Sequence, residues 1–258
     1  FNSKSKKYLA ALISDECWQA TPGKVVDLIR NIGIAAGGTV MEDCRVIEAV
    51  RDGKYTSVLV STHDKQYIEY RTEHFVNALG SGAGKLCDSM GIDAGLYPVR
   101  HQAFITRRLP MLGKNGANLD MLIDRQDYKG FSAVYGQQIA YTGQIIGCAS
   151  PKLDAMRIDK NLKLNTKAFL EIVSEMFVEW IPDLAGVGIQ AVWAGYYTEP
   201  RYIVDPELGL FVGMRGHGFM LSQYIAKMYV DKLMGRPVPE YFDKLKLNGP
   251  GLSEKAFK

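Results

Sequence analysis

The sequence predicts a mixed chain of the α+β class, with an antiparallel sheet and its helices interleaved with parts of a Rossmann-like α/β domain. Three observations carry this prediction. Segments of helical apolar periodicity alternate with short β-rich runs along the whole chain. Between about residues 96 and 148 those runs follow one another with only turns between them, as antiparallel strands do. Two units of strand, glycine turn and helix, around Gly80–Gly84 and Gly213–Gly218, stand on either side of that stretch.

Taken in order, Lys6–Ile13 carry a short helical pattern and Trp18–Thr21 an extended one. Thr21-Pro22-Gly23 then opens a helix, because threonine suits the cap and proline the first helical position. Val25, Val26, Leu28, Ile29, Ile32 and Ala36 follow at helical spacing as its apolar face, and Gly37-Gly38 ends it. Thr39–Met41, Arg45–Val50, Ser57–Thr62 and Gln66–Arg71 are β-rich and separated by turns such as Arg51-Asp52-Gly53-Lys54, which predicts a small antiparallel meander. Glu73–Ala78 reads as a compact strand, leading through Gly80-Ser81-Gly82-Ala83-Gly84 into a helix over Lys85–Met90.

From Leu96 the character changes. Val99–Thr106, Met121–Asp124, Phe131–Gln137 and Gln138–Cys148 read as strands, with turns at Asp127–Gly130 and Thr142-Gly143. Asn165–Trp180 is a long amphipathic helix, capped by Asn165 or Thr166 and stopped by Pro182. Its apolar face comprises Phe169, Ile172, Val173, Met176, Phe177 and Trp180. Gly188–Tyr197 is a further strand, Leu208–Val212 a short buried one, and Tyr224–Met234 the last helix. The Pro- and Gly-rich tail from Arg236 reads as extended or loose.

At 258 residues, 47% apolar and 23% charged, the chain has ordinary globular composition and can bury a sizeable core. A net charge of +3 and the lack of any recognition motif argue against a nucleic-acid partner. Lys4, Lys6 and Lys7 read as a solvated cluster. No apolar run reaches the ~18–20 residues of a membrane span and no signal-peptide pattern is present, which predicts a cytoplasmic protein. Cys17, Cys44, Cys87 and Cys148 lie far apart, as do His63, His74, His101 and His217. The expectation is reduced, mostly buried thiols and no metal. The first residue is Phe1, which suggests that a segment precedes it.

The stretch Gly213-Met214-Arg215-Gly216-His217-Gly218-Phe219-Met220-Leu221-Ser222 organises the chain's chemistry. Glycines between a strand and a helix let backbone approach a ligand, and the helix start presents free N–H groups and a positive dipole end. Spacing alone fits an anion site and a purely steric turn equally well.

Four stretches, in this order, resemble the FAD-dependent oxidoreductases of the D-amino-acid oxidase, glycine oxidase and sarcosine oxidase group. The first is Thr21-Pro22-Gly23-Lys24-Val25-Val26 with Gly38-Thr39-Val40 and Arg45-Val46-Ile47. The second, Val76-Asn77-Ala78-Leu79-Gly80-Ser81-Gly82-Ala83, is similar to the group's VNAAG-x-W-[AS] turn. The third, Pro98-Val99-Arg100-His101-Gln102, is similar to its PVRGQ strand. Trp193-Ala194-Gly195 with the Gly213–Ser222 stretch resembles WAG and GHG-F-x-L. The resemblance spans about residues 15–235.

The resemblance implies non-covalent FAD, a small amine or amino-acid substrate, and hydride transfer from the substrate α-carbon. Cofactor contacts would fall on Val46, Ala78, Gly80, Gly213, Gly216, His217, Gly218, Phe219 and Met220. Substrate contacts would fall on Tyr135, Tyr196, Tyr197 and Arg215, since phenols and guanidinium groups hold carboxylates. Candidates for a catalytic role are His217, Arg215 and Tyr197; His217 fits a structural hydrogen bond in the turn better. Arg201 reads as a surface arginine, Arg100 as part of a buried ion pair, and Trp193 and Phe219 as core. No general base is nominated, because hydride transfer from a neutral amine needs none.

The chain departs from the group in carrying no G-x-G-x-x-G. The pattern fits the later part of a longer protein: residues 1–95 and 191–235 from an FAD-binding domain, 96–190 a substrate domain, 236–258 a tail. No cysteine lies near Gly195, where some sarcosine oxidases attach flavin, and Met220 stands where some relatives carry a carboxylate-holding lysine. A hydroxy-acid or glycerol-phosphate dehydrogenase and a non-catalytic subunit are the alternatives. The electron acceptor stays open, and the partner expectation is an assembly of like or unlike chains that needs no membrane.

Overall fold

The chain divides into two compact units, and each is built around its own apolar packing. Among the residues that the computed structural model describes (18–113, 116–125, 131–139, 142–151 and 166–250), one unit is continuous, Tyr97–Tyr197. The other joins the segment ending at Leu96 to the segment beginning at Thr198. The expectations for Lys4, Lys6, Lys7, Lys6–Ile13, Cys17, Asp127–Gly130, Asn165 and the last eight residues of the tail lie outside the described residues.

The continuous unit is a five-stranded sheet under one helix. Its strands are β4 (Tyr97–Thr106), β5 (Leu122–Asp124), β6 (Phe131–Ile139), β7 (Gln144–Pro151) and β8 (Ile189–Glu199), in the order β5-β6-β7-β4-β8. The pairs β5–β6, β6–β7 and β7–β4 are antiparallel. Gln138 and Ile139 extend β6, and the Thr142-Gly143 turn separates it from β7, so the expected Gln138–Cys148 strand is divided. Helix α3 (Thr166–Trp180) packs on one face through Phe169, Val173, Met176, Phe177 and Trp180, meeting Phe104, Val134, Ile145 and Ala149. That is the apolar stripe its 3.6-residue period predicts. A Cβ on Gly136 or Gly147 would sit 2.3 or 3.0 Å from the Phe177 ring, so glycine at both positions lets the helix lie close.

The discontinuous unit begins with α1 (Pro22–Ala35), whose N-cap Thr21 makes no side-chain capping bond. None of the residues of α1 is buried; Val26, Leu28 and Ile32 are about 60% exposed. The helix stands where the sequence predicts it, but its apolar side chains are not buried by any of the described residues. Strands β1 (Arg45–Asp52), β2 (Tyr55–Ser61) and β3 (Tyr67–Thr72) form the predicted antiparallel meander, whereas Thr39–Met41 is not a strand.

Glu73–Ala78 is not a strand either. Asn77 alone bridges to Leu210, because its side chain donates to Ala83 O (3.0 Å) and accepts from Leu79 N (3.3 Å), turning the chain. Helix α2 (Ala83–Ser89) follows. Strands β9 (Ile203–Asp205) and β10 (Leu210–Val212) pair antiparallel, and α4 (Gly218–Leu233) starts six residues earlier than its apolar period shows. The tail is docked, not loose: Phe242 and Leu245, three residues apart in a 3-10 turn, are fully buried against Val204, Ile225, Met228 and Tyr229. No helix among the described residues is long and apolar enough to cross a membrane.

Candidate functional site

Gly213 ends β10 with φ +73°, in the left-handed region. A Cβ there would lie 1.9 Å from the Arg201 carbonyl oxygen. The glycine is thus demanded by the chain's own backbone. Arg215 follows with φ +50°, a costly conformation for a non-glycine residue. Its Nε lies 2.5 Å from Glu199 Oε2, and the pair is mostly buried. Arg215 is therefore neutralised within the protein, which weakens it as a carboxylate clamp. Arg201 is no surface arginine: it is half-buried and donates to the carbonyls of Gly249 and Leu247, pinning the tail.

Residues Arg215–His217 form a 3-10 turn that runs into α4. His217 Nδ1 is hydrogen-bonded to the Tyr202 hydroxyl, the structural bond that the turn favours. No side chain caps α4, and no acidic residue occupies its first turn. The positive end of the helix dipole is therefore not countered by the helix itself. Gly216, His217, Phe219 and Met220 are exposed at this start, Phe219 by 45% and Met220 by 70%, so Phe219 is not core.

A cavity of about 310 Å³ opens between the meander and the Gly80 turn, lined by Cys44, Arg45, Val46, Ile47, Leu79, Gly82, Lys85 and Leu86. Apolar side chains (Val46, Ile47, Leu79 and Leu86) share its walls with polar surface, and Arg45 and Lys85 supply two exposed cations with no acidic partner among the described residues. A Cβ on Gly82 would meet only Leu79 Cβ at 3.8 Å, so this wall has room. Val46, expected to contact the cofactor, lines the cavity; Ala78 and Gly80 flank its Leu79 wall without lining it. No spacing in the sequence singles out Lys85.

In the continuous unit, Gly136, Gly147 and Phe104 face α3, so Tyr135, Cys148, Ala103 and His101 face the other way. Tyr197 of β8 joins them. Its ring stacks on His101, centroids 3.8 Å apart and planes at 27°, and its hydroxyl lies 3.4 Å from that of Tyr135. Burial pushes the Tyr135 phenol well up from its ordinary value and Cys148 up to about 11, so both stay protonated at neutral pH. The two phenols thus meet as a neutral, protonated pair, in which either hydroxyl can donate to the other. Tyr196 alternates to the opposite face and does not join the pair. Trp193 is 43% exposed on β8, an edge strand, and is not core. Arg100 is buried. The described residues hold no group of three potential metal ligands.

The sequence profile of the FAD dependent oxidoreductase (DAO) family matches residues 2–232. No curated protein sequence gives a significant match. Among solved structures, the L-proline dehydrogenase of P. horikoshii aligns at TM-score 0.67 and 23% identity, over 88% of this chain and 59% of that one. The glycine oxidase of Geobacillus kaustophilus aligns at 0.62 and 17%, over 83% and 54%. The iminodiacetate oxidase of Chelativorans sp. BNC1 aligns at 0.64 and 16%, over 88% and 58%. The chain thus spans less than two thirds of the length of each of these proteins, and at these identities they speak to fold alone. The profile match covers nearly the whole sequence, and the chain belongs to the DAO family of FAD-dependent oxidoreductases.

Proposed function

We propose that this chain forms part of an FAD-dependent oxidoreductase that oxidises an amino acid or secondary amine. The carrying observation is the hydroxyl pair Tyr135–Tyr197, a neutral donor set at 3.4 Å suited to a small carboxylate. In the reaction the substrate Cα–H bond breaks as a hydride, the amine nitrogen loses a proton to solvent, and a C=N bond forms. Non-covalent flavin supplies the two-electron acceptance when bound. The protein's own contribution is to hold the carboxylate and orient the Cα–H bond.

The residues present fit the cofactor at both ends. The Val46–Gly82 cavity combines the apolar side chains of Val46, Ile47, Leu79 and Leu86 with Arg45 and Lys85, as an adenine bearing phosphates requires. The uncapped α4 start, with exposed Phe219 and Met220 and the backbone of Gly216, His217 and Gly218, offers apolar surface and positive potential to an electron-rich ring edge. On this reading the discontinuous unit serves the flavin and the continuous unit the substrate.

The test uses the protein expressed from its complete gene, scanned for a two-band flavin spectrum. It is then offered L-proline, glycine and iminodiacetate against hydroxy acids and glycerol phosphate, with an artificial electron acceptor. Reduction by amines alone supports the proposal; reduction only by hydroxy acids points to the alternative dehydrogenase. A protein that takes up no flavin would be a non-catalytic subunit. Gly82→Trp fills the cavity without a backbone clash and should weaken FAD retention at least tenfold while leaving the fold intact. Unchanged retention would remove the cavity from the cofactor site.

A further inference from the structure

We infer that His101 is a positioning residue that sets the reach of the Tyr135–Tyr197 hydroxyl pair, and with it the size of ligand the pair accepts. The inference rests on the proposal that this pair receives the substrate carboxylate. Tyr135 stands on β6 and Tyr197 on β8, with β7 and β4 between them. Three strand-to-strand steps amount to about 14 Å. Side chains on a sheet ordinarily stand perpendicular to it, and two upright phenols so placed would not meet. Their hydroxyls lie 3.4 Å apart, so the rings must lean toward one another across the sheet.

Two features permit that lean. Cys148 on β7 and Ala103 on β4 are paired neighbours on the same face, and both are small. His101, 8% exposed, gives the Tyr197 ring a flat surface at 3.8 Å to lie on. A glycine at this position would give the Tyr197 ring nothing to rest on. His101 therefore acts through Tyr197: the imidazole holds the phenol inward, the two hydroxyls meet, and the reach of the pair toward a carboxylate is set.

The test compares His101→Gly with His101→Phe, which keeps a ring for the stack. The first readout is independent of activity: the ring-proton resonances of Tyr197, assigned with Tyr197→Phe in tyrosine-labelled protein. The stacked imidazole shifts them upfield; the shift should vanish in His101→Gly and persist in His101→Phe. The second readout is the KM–kcat split in the flavin-loaded complete protein. His101→Gly should raise KM for L-proline about tenfold with kcat nearly unchanged and improve use of L-phenylalanine, while His101→Phe stays within about twofold of wild type for L-proline. Unchanged Tyr197 resonances in His101→Gly would overturn the inference, as would a loss of thermal stability with KM unaffected. If wild type neither binds flavin nor turns over an amine, the functional proposal fails, and the resonance experiment still decides what His101 does.

Discussion

Replacing Gly213 by alanine separates two costs that usually arrive together. At φ +73° an alanine pays for the left-handed backbone, about 1–2 kcal/mol. Its Cβ would also lie 1.9 Å from Arg201 O and 2.9 Å from Arg201 C. Relief requires moving backbone beside β9 and β10, whose Ile203, Val204, Leu210 and Val212 are fully or almost fully buried. Forcing such a close-packed region apart costs about 1–3 kcal/mol more. Gly53→Ala is the control, since Gly53 has φ +59° with nothing within 4 Å of the added Cβ. Urea unfolding at constant slope should show Gly53→Ala down by about 1 kcal/mol and Gly213→Ala by about 3–4 kcal/mol. Two midpoints corresponding to losses within about 0.5 kcal/mol of each other would refute the backbone-contact argument.

Two further outcomes follow from burial. Phe242→Ala should destabilise by about 3–5 kcal/mol, because the ring is fully enclosed among Val204, Ile225, Met228 and Tyr229; a loss under about 1 kcal/mol would mean that the tail does not dock. Cys148 is an acid whose thiol rises from 9.0 to about 11 on folding, so the folded state holds its proton more tightly. Its share of stability is complete below pH 9 and is lost as pH rises through 11, a fall of roughly 2–3 kcal/mol. The stability difference between wild type and Cys148→Ala should therefore shrink by that amount between pH 8 and 11, and a constant difference would count against the assignment.

The elements most legible in the sequence are those whose period is their own. Helix α3 shows its buried stripe as Phe169, Val173, Met176, Phe177 and Trp180, and the meander shows its turns as Asp-Gly and polar breaks. Less legible is whatever depends on a partner remote in sequence. Glu73–Ala78 is apolar enough for a strand, yet Asn77 diverts its side chain to local backbone. Phe242 and Leu245 look like tail residues until Val204 and Tyr229 are seen around them. Leu28 and Ile32 look like core, and no element of the described residues buries them. In the candidate site, Tyr135 and Tyr197 are nominated as residue types, but their meeting depends on strand order, and periodicity carries no strand order. His101 could have been noticed as an imidazole where the resembling strand has glycine. Glu199, the partner of Arg215, leaves no trace in spacing at all.

The Gly213–Ser222 stretch illustrates how one motif divides between fold and ligand. Its first glycine is reserved by the Arg201 carbonyl, its arginine by Glu199, and its histidine by Tyr202. Those three features, which look most chemical in the sequence, are occupied by the protein itself. What remains free to act is less conspicuous: an uncapped helix start and two exposed apolar side chains, Phe219 and Met220. Such a surface can meet a flat ring and stabilise negative charge on it, but it has no net charge with which to select a carboxylate. With the Arg215 guanidinium already paired, the proposed function assigns selection for the carboxylate to the Tyr135–Tyr197 hydroxyls. Neutral donors hold an anion more weakly than a free guanidinium does, so orientation there depends on how firmly the two rings are placed.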